Sequence, residues 1–148
     1  MSESVSKQRL RLWIRLLLVT RSAEKELSEF VRTEHGTTLP RFDVLAALHR
    51  ADAPLSMTEL SRQLLVSNGN TTTVVARLHA DGLVRRTTAD SDRRVVMVEL
   101  TGRGRRHFEQ LAADHEQRVD SLFAGITDAE LRQLDDLLQR LSPRKART

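Results

Sequence analysis

The chain of 148 residues contains no cysteine, only three prolines and only six glycines. The missing thiols exclude a disulfide framework, a thiolate zinc site and a thiol switch, so nothing here depends on an oxidising compartment. So few prolines and glycines exclude collagen-like repeats and argue against disorder or a turn-rich all-β design. Long apolar runs are missing too. The stretch from Leu10 to Val19 is interrupted by Arg11 and Arg15 and falls far short of the roughly 20 apolar residues of a membrane span. It also lacks a small-residue cleavage site, so no signal peptide is expected, and the expected location is the cytoplasm. What is there, 39% hydrophobic and 30% charged residues, describes one helical globular domain large enough to bury a core.

The net charge of +4 is unevenly distributed. Residues 67–106 carry eight basic and four acidic side chains, whereas residues 107–143 carry three and eight. A central basic segment followed by an acidic one predicts a surface for a polyanion and another kept away from it.

Leu10, Trp13, Leu16, Leu17, Leu27, Phe30 and Val31 have helical spacing over about six turns. Gly36 ends that helix, and Pro40 opens a second one running through Phe42, Leu45 and Leu48 to about Arg50. Ala53-Pro54 breaks it. Ser56 and Glu59 then have capping-box spacing, with Leu55 and Leu60 as a hydrophobic staple, for a short helix from Met57 to about Leu65. Ser67 is read as the cap of the next helix, Asn68 to about Asp81, closed at Gly82. Two short helices joined by a tight turn form a helix-turn-helix candidate.

After Gly82 the period becomes strand-like. Leu83–Thr87 and Val95–Leu100 are β-branched runs separated by the polar loop 88–94, which predicts a β-hairpin with a charged tip. Thr101 caps another long helix with the stripe Phe108, Leu111, His115, Val119 and Leu122. A second capping box, Thr127 with Glu130, starts a last helix bearing Leu134, Leu137, Leu138 and Leu141. The predicted class is mainly α with a small β-hairpin wing: a winged helix-turn-helix lobe (37–100) between long helices (1–36 and 101–148).

In that arrangement the second helix of the motif enters the major groove. Val74, Val75 and Leu78 face inward, so the opposite face presents Gly69, Thr72, Thr73 and Ala76, flanked by Asn68, Asn70 and Arg77. Small side chains bring the helix axis close to base edges, and threonine methyls match thymine methyls. Asp90 and Asp92 stand beside Arg93 and Arg94 at the wing tip, so a carboxylate can hold one guanidinium while another reaches into a minor groove.

The stretch "LSRQLLVSNGNTTTVVARLHADGLVRRTTADSDRRVVMVELTGRGR", with "DRR" followed after a strand by "LT" and a glycine, resembles the DNA-binding region of MarR-type regulators. The flanking helices fit that family's dimerisation region. The resemblance implies a ligand-responsive regulator, more a repressor than an activator, that binds a pseudo-palindromic double-stranded operator as a homodimer. A small ligand would sit between dimerisation region and lobe. By position, Asp92 resembles the family's orienting carboxylate and Arg94 its minor-groove arginine. Asn68, Asn70, Thr72 and Thr73 fall where the family reads bases, and Ser67, Arg77 and Arg86 where backbone contacts are usual; Arg93 accompanies Arg94 in the wing.

The cysteine-free chain departs from the peroxide-sensing branch. His35, His49, His79, His107 and His115 show no tight ligand pairing, so neither metal nor cofactor is expected. The pair "LRLWIRLL" and "TTLPRFD" resembles members tied to aromatic acid catabolism. That implies an aromatic acid or aryl-CoA effector, with Arg11, Arg15 or Arg41 neutralising its charge and Trp13 and Phe42 near its ring. The favoured reading of Trp13 and Phe42 is nevertheless dimer or domain core. Two other classes compete. An enzyme would need a phosphate loop, a nucleophile elbow or a metal-ligand pair, and none stands in the sequence. A winged-helix module for protein contacts would need an apolar patch on the recognition helix and no wing arginines.

Overall fold

The computed structural model describes residues 4–65 and 70–142. Ser4 caps α1 (Val5–His35), and Gly36, in the left-handed region at φ 60°, ends it. Such a turn suits glycine because a Cβ would strain it. Thr38 caps α2 (Leu39–Ala51), with proline in its first turn. The Ser56–Glu59 box closes in both directions, at 3.2 and 2.8 Å, and starts α3 (Met57–Gln63). Then come α4 (Thr71–Ala80), strands β2 (Val84–Thr88) and β3 (Val96–Leu100), and helices α5 (Gly102–Leu122) and α6 (Asp128–Leu141).

Two features differ from the sequence expectation. Leu55 and Ser56 form a further strand, β1, pairing antiparallel with Val98 and Met97, so the sheet order is β1-β3-β2. Two residues are too few to show a strand period. Helix α4 begins at Thr71 rather than Asn68, because Asn70 is its cap: Asn70 Oδ1 accepts the Thr72 and Thr73 amides at 3.0 and 3.4 Å. Asparagine and serine cap about equally well, so Ser67 had no local advantage. Ser67, Asn68 and Gly69 lie outside the described residues.

The lobe core is built around α2, which is buried from Asp43 to Leu48 because it has neighbours on most sides. Leu45, Leu48, Leu60, Val75, Leu78, Val84 and Val98 are at most 2% exposed. Burial of each such side chain is worth about 1.5–3 kcal/mol. Phe108 of α5 belongs to the same cluster, which fastens the lobe to the long helix. A smaller cluster joins Val31, Leu39 and Leu111, so α1 is anchored only near its C-terminal end. Further from that anchor the chain is open. Every residue of α6 is exposed, and Leu10, Trp13, Leu18 and Val19 of α1 are more than half exposed.

Candidate nucleic-acid interface

The burial pattern of α4 sets its outward face. Val75 and Leu78 are buried against α2, which leaves Thr72, Thr73 and Arg77 exposed and Ala76 half-buried. Asn70 is exposed at the N-terminal end of the same helix, but its carbonyl oxygen is occupied by the cap, leaving the amide NH2 to donate. Thr72 shares a shallow groove with Met57, Thr58, Ser61 and Arg62 of α3. The sequence reading passed over Thr58, Ser61 and Arg62, although three polar residues opposite the buried Leu60 were a readable signal. The first helix of such a motif crosses the nucleic-acid backbone, where hydroxyls and a guanidinium serve.

At the wing tip, Asp92 grips Arg94. Its carboxylate accepts the Arg94 backbone amide at 3.0 Å, Nε at 3.2 Å and Nη2 at 3.3 Å. These bonds from Arg94 hold the Asp92 carboxyl below its ordinary value. The Arg94 side chain is nonetheless 91% exposed, so it is oriented without being covered. Arg93 and Arg86 are exposed on the same hairpin, while Arg85 is engaged with Glu99 at 3.1 Å. The described candidate residues therefore fall in three places, the α4 face, strand β2 with Arg86, and the wing tip, all carried by one core.

Comparison with known proteins decides the family. A model of the MarR family matches residues 35–95. The transcriptional repressor YetL of Bacillus subtilis is 31% identical over 112 residues, 72% of this chain and 67% of that protein. The chain belongs to the MarR family. Among solved structures, a mutant of the E. coli MarR protein complexed with operator DNA is 27% identical, with a TM-score of 0.74, covering 95% of this chain and all of that one. BpsR of Bordetella bronchiseptica, whose DNA binding is regulated by 6-hydroxynicotinic acid, is 26% identical, with a TM-score of 0.78, covering 90% and 99%. This chain is thus a MarR-family DNA-binding transcriptional regulator with the fold of those proteins.

A cavity lies where the long helices meet the lobe. His35, Gly36 and Thr37 at the end of α1, Arg41 of α2, Asp81 after α4, and Arg103 and His107 of α5 border an open cavity of about 380 Å³. Arg41 was expected at such a place. Phe42 packs between helices, with ring centroids 5.5 Å from Phe108 and 4.3 Å from His115. Arg11, Trp13 and Arg15 lie on the exposed part of α1. Trp13 is about 30 Å along the helix from His35 at 1.5 Å per residue, so one chain does not bring it together with Arg41.

Burial, then the charges of Arg41, His35 and Arg103, lowers the His107 pKa, and burial lowers that of His115. Both shifts favour the neutral imidazole. Their contribution to stability is complete above the ordinary histidine value of 6.5 and declines as pH falls below it toward the depressed folded values. The thermal midpoint is therefore expected to drop between pH 7.5 and 5.5, and His107→Gln to flatten that slope. An unchanged slope in the variant would show that His107 does not resist protonation in the fold.

Proposed function

We propose that the protein is a homodimeric repressor acting in the cytoplasm, with two lobes reading a pseudo-palindromic operator and a small organic acid releasing it. The observation that carries this reading is the wing tip, where Asp92 orients a nearly fully exposed Arg94 on the same lobe as the exposed Thr72 and Thr73. In this reading α4 enters the major groove, where Thr72 and Thr73 meet base edges with Asn68 and Asn70. Ser67, Arg77 and Arg86 steady the backbone, and Arg94, with Arg93, enters the adjacent minor groove. Thr58, Ser61 and Arg62 add backbone contacts. Operator binding then weakens steeply with salt, by about −0.9 in log–log slope for each neutralised phosphate.

The dimerisation region in this reading is residues 1–36 and 101–148, for which the uncovered apolar faces are the support. Leu131, Leu134, Leu138 and Leu141 recur at helical spacing on α6 and are 37–69% exposed in a single chain. A second copy covers such a face and takes its leucines out of water. Sedimentation should therefore give twice the 16.8 kDa of one chain. Leu134→Asp with Leu138→Asp should yield a folded monomer whose operator affinity falls at least about 100-fold, because two half-sites no longer bind as one unit. A variant that remains dimeric would move the interface elsewhere.

For the effector, the cavity beside Arg41 and Arg103 suits a carboxylate, and the likeness to BpsR points to an aromatic acid, with aryl-CoA thioesters as larger candidates. Arg11, Arg15 and Trp13 enter this reading only if the partner protomer brings its α1 to the cavity. Titrating the protein–operator complex with benzoate, 6-hydroxynicotinate and an aryl-CoA tests the class. No release by any of the three would leave a regulator without this kind of effector.

A further inference from the structure

Helix α5 starts beside Thr101, whose amide bonds to the Leu83 carbonyl at 3.1 Å, and lies on the lobe along a buried ridge of Gly104, Phe108 and Leu111. At about 100° per residue, Arg105 and Glu109 stand on one flank of that ridge and Asp114 and Arg118 on the other. The second flank is tied to α1, where Asp114 pairs with His35 at 3.1 Å and Arg118 with Glu26 at 3.4 Å. The first is tied to the end of α2. Arg105 donates to Asp52 at 2.7 Å, and one turn further along α5 the Glu109 carboxylate meets His49 at 3.4 Å.

Asp52 stands where its own helix does not favour it. It is the C-cap of α2 at φ 48°, and among the described residues it is the one non-glycine in the left-handed region, where glycine or asparagine is the usual occupant. Its charge also follows the last turn of α2, the negative end of that helix, while Arg105 is the fourth residue of α5, near a positive end. Neither charge is explained by its own helix. With Arg105 and Asp52 side chains 42% and 76% exposed, the pair also adds little to stability.

What the pair supplies is direction. Apolar contact along the ridge resists separation but has no preferred bearing, whereas a hydrogen-bonded pair on the flank resists sideways rocking. Arg105 lies about 6 Å along α5 from Thr101, so sideways play of about 1 Å there turns the helix by about 10°. Over the rest of α5 that exceeds the roughly 3.4 Å between base pairs.

We infer that Asp52 and Arg105 are positioning residues that fix the direction of α5 on the lobe and so make the protein strict about the spacing between operator half-sites. The hold is permanent and needs no ligand. The inference rests on the reading of the protein as a two-lobed dimer on a pseudo-palindromic operator.

The test uses full-length protein, a duplex enriched by the wild type from a random pool, and the same duplex with one base pair added or removed between its half-sites. Binding is followed by fluorescence anisotropy at fixed ionic strength, and the readout is the preference for the parent over the respaced duplexes. Asp52→Asn is expected to reduce that preference about threefold, within what one exposed ion pair can supply, and Arg105→Gln to do the same. The two substitutions change the protein's charge in opposite directions. Charge alone would therefore strengthen every duplex in the first variant and weaken every duplex in the second, leaving the preference untouched. The double variant should match either single one, because both remove the same contact. Asparagine suits the left-handed cap, so Asp52→Asn should melt no lower than the wild type.

An unchanged preference in either single variant, or reductions that multiply in the double, overturns the inference. So does a loss of preference that comes with a lower melting temperature in Asp52→Asn. A wild type that binds parent and respaced duplexes equally sinks the two-lobed reading itself, an outcome seen before any variant is made.

Discussion

Gly104→Ala is expected to lower the thermal midpoint by about 10 °C, the shift that about 3 kcal/mol of overpacking produces in a chain of this size. A Cβ at position 104 would lie 1.8 Å from the Leu83 carbonyl oxygen and 2.8 Å from its carbonyl carbon. Both are backbone atoms, so no rotamer change relieves the clash. Moving α5 away would also break what holds it there. Leu83 O accepts the Thr101 amide at 3.1 Å, the Thr101 hydroxyl donates to Gly82 O at 2.7 Å, and Phe108, one turn on, belongs to the lobe core. The opposite expectation comes from helix propensity, by which alanine is favoured over glycine by about 1 kcal/mol. The two effects have opposite signs and the contact is the larger. A melt followed by circular dichroism at neutral pH decides between them, and a midpoint equal to or above that of the wild type would mean the close approach does not exist in solution.

Arg94→Ala is expected to weaken operator binding about 10- to 100-fold, as loss of one well-placed arginine contact costs about 1–3 kcal/mol. The dimer and the melting temperature should be unaffected, because the side chain is 91% exposed and its hydrogen bonds among the described residues go to Asp92, two residues away. Asp92→Ala provides the sharper control. It removes a negative charge from a DNA-facing surface, so simple electrostatics predicts tighter binding. If Asp92 acts by holding the guanidinium in place, binding weakens instead, and less than in Arg94→Ala. Wild-type affinity in the arginine variant would falsify the wing assignment.

These two predictions differ in how far the sequence could reach them. Asp92 and Arg94 are two residues apart, and the local loop chemistry was enough to pair them. The capping boxes Ser56–Glu59 and Thr127–Glu130 were legible for the same reason: both partners lie within one turn. The start of α4 was not, because Ser67 and Asn70 are equally good caps three residues apart and nothing local ranks them. Gly104 stood in the motif that carries the family resemblance, yet its necessity depends on a carbonyl at Leu83, which no local pattern reveals. Arg41 was singled out for its charge, but its partner Asp81 is brought to it only by the packing of α2 against α4. Trp13, read for its ring, lies on a helix face left more than half exposed by the described residues.

Thr101 has a mechanical consequence. Its amide bonds to Leu83, its hydroxyl donates to Gly82, and the same oxygen accepts the Gly104 amide at 2.9 Å. The exit of the recognition helix, the end of the wing and the start of α5 are therefore welded at a single corner. A load applied to the far end of α5 is not absorbed at this corner but passed through it. With 21 residues and a length of about 30 Å, α5 works as a crank arm: a tilt of about 5° at one end carries the other through about 2.5 Å. In the proposed dimer, half-site spacing is set where the long helices meet, and each lobe travels as a solid piece.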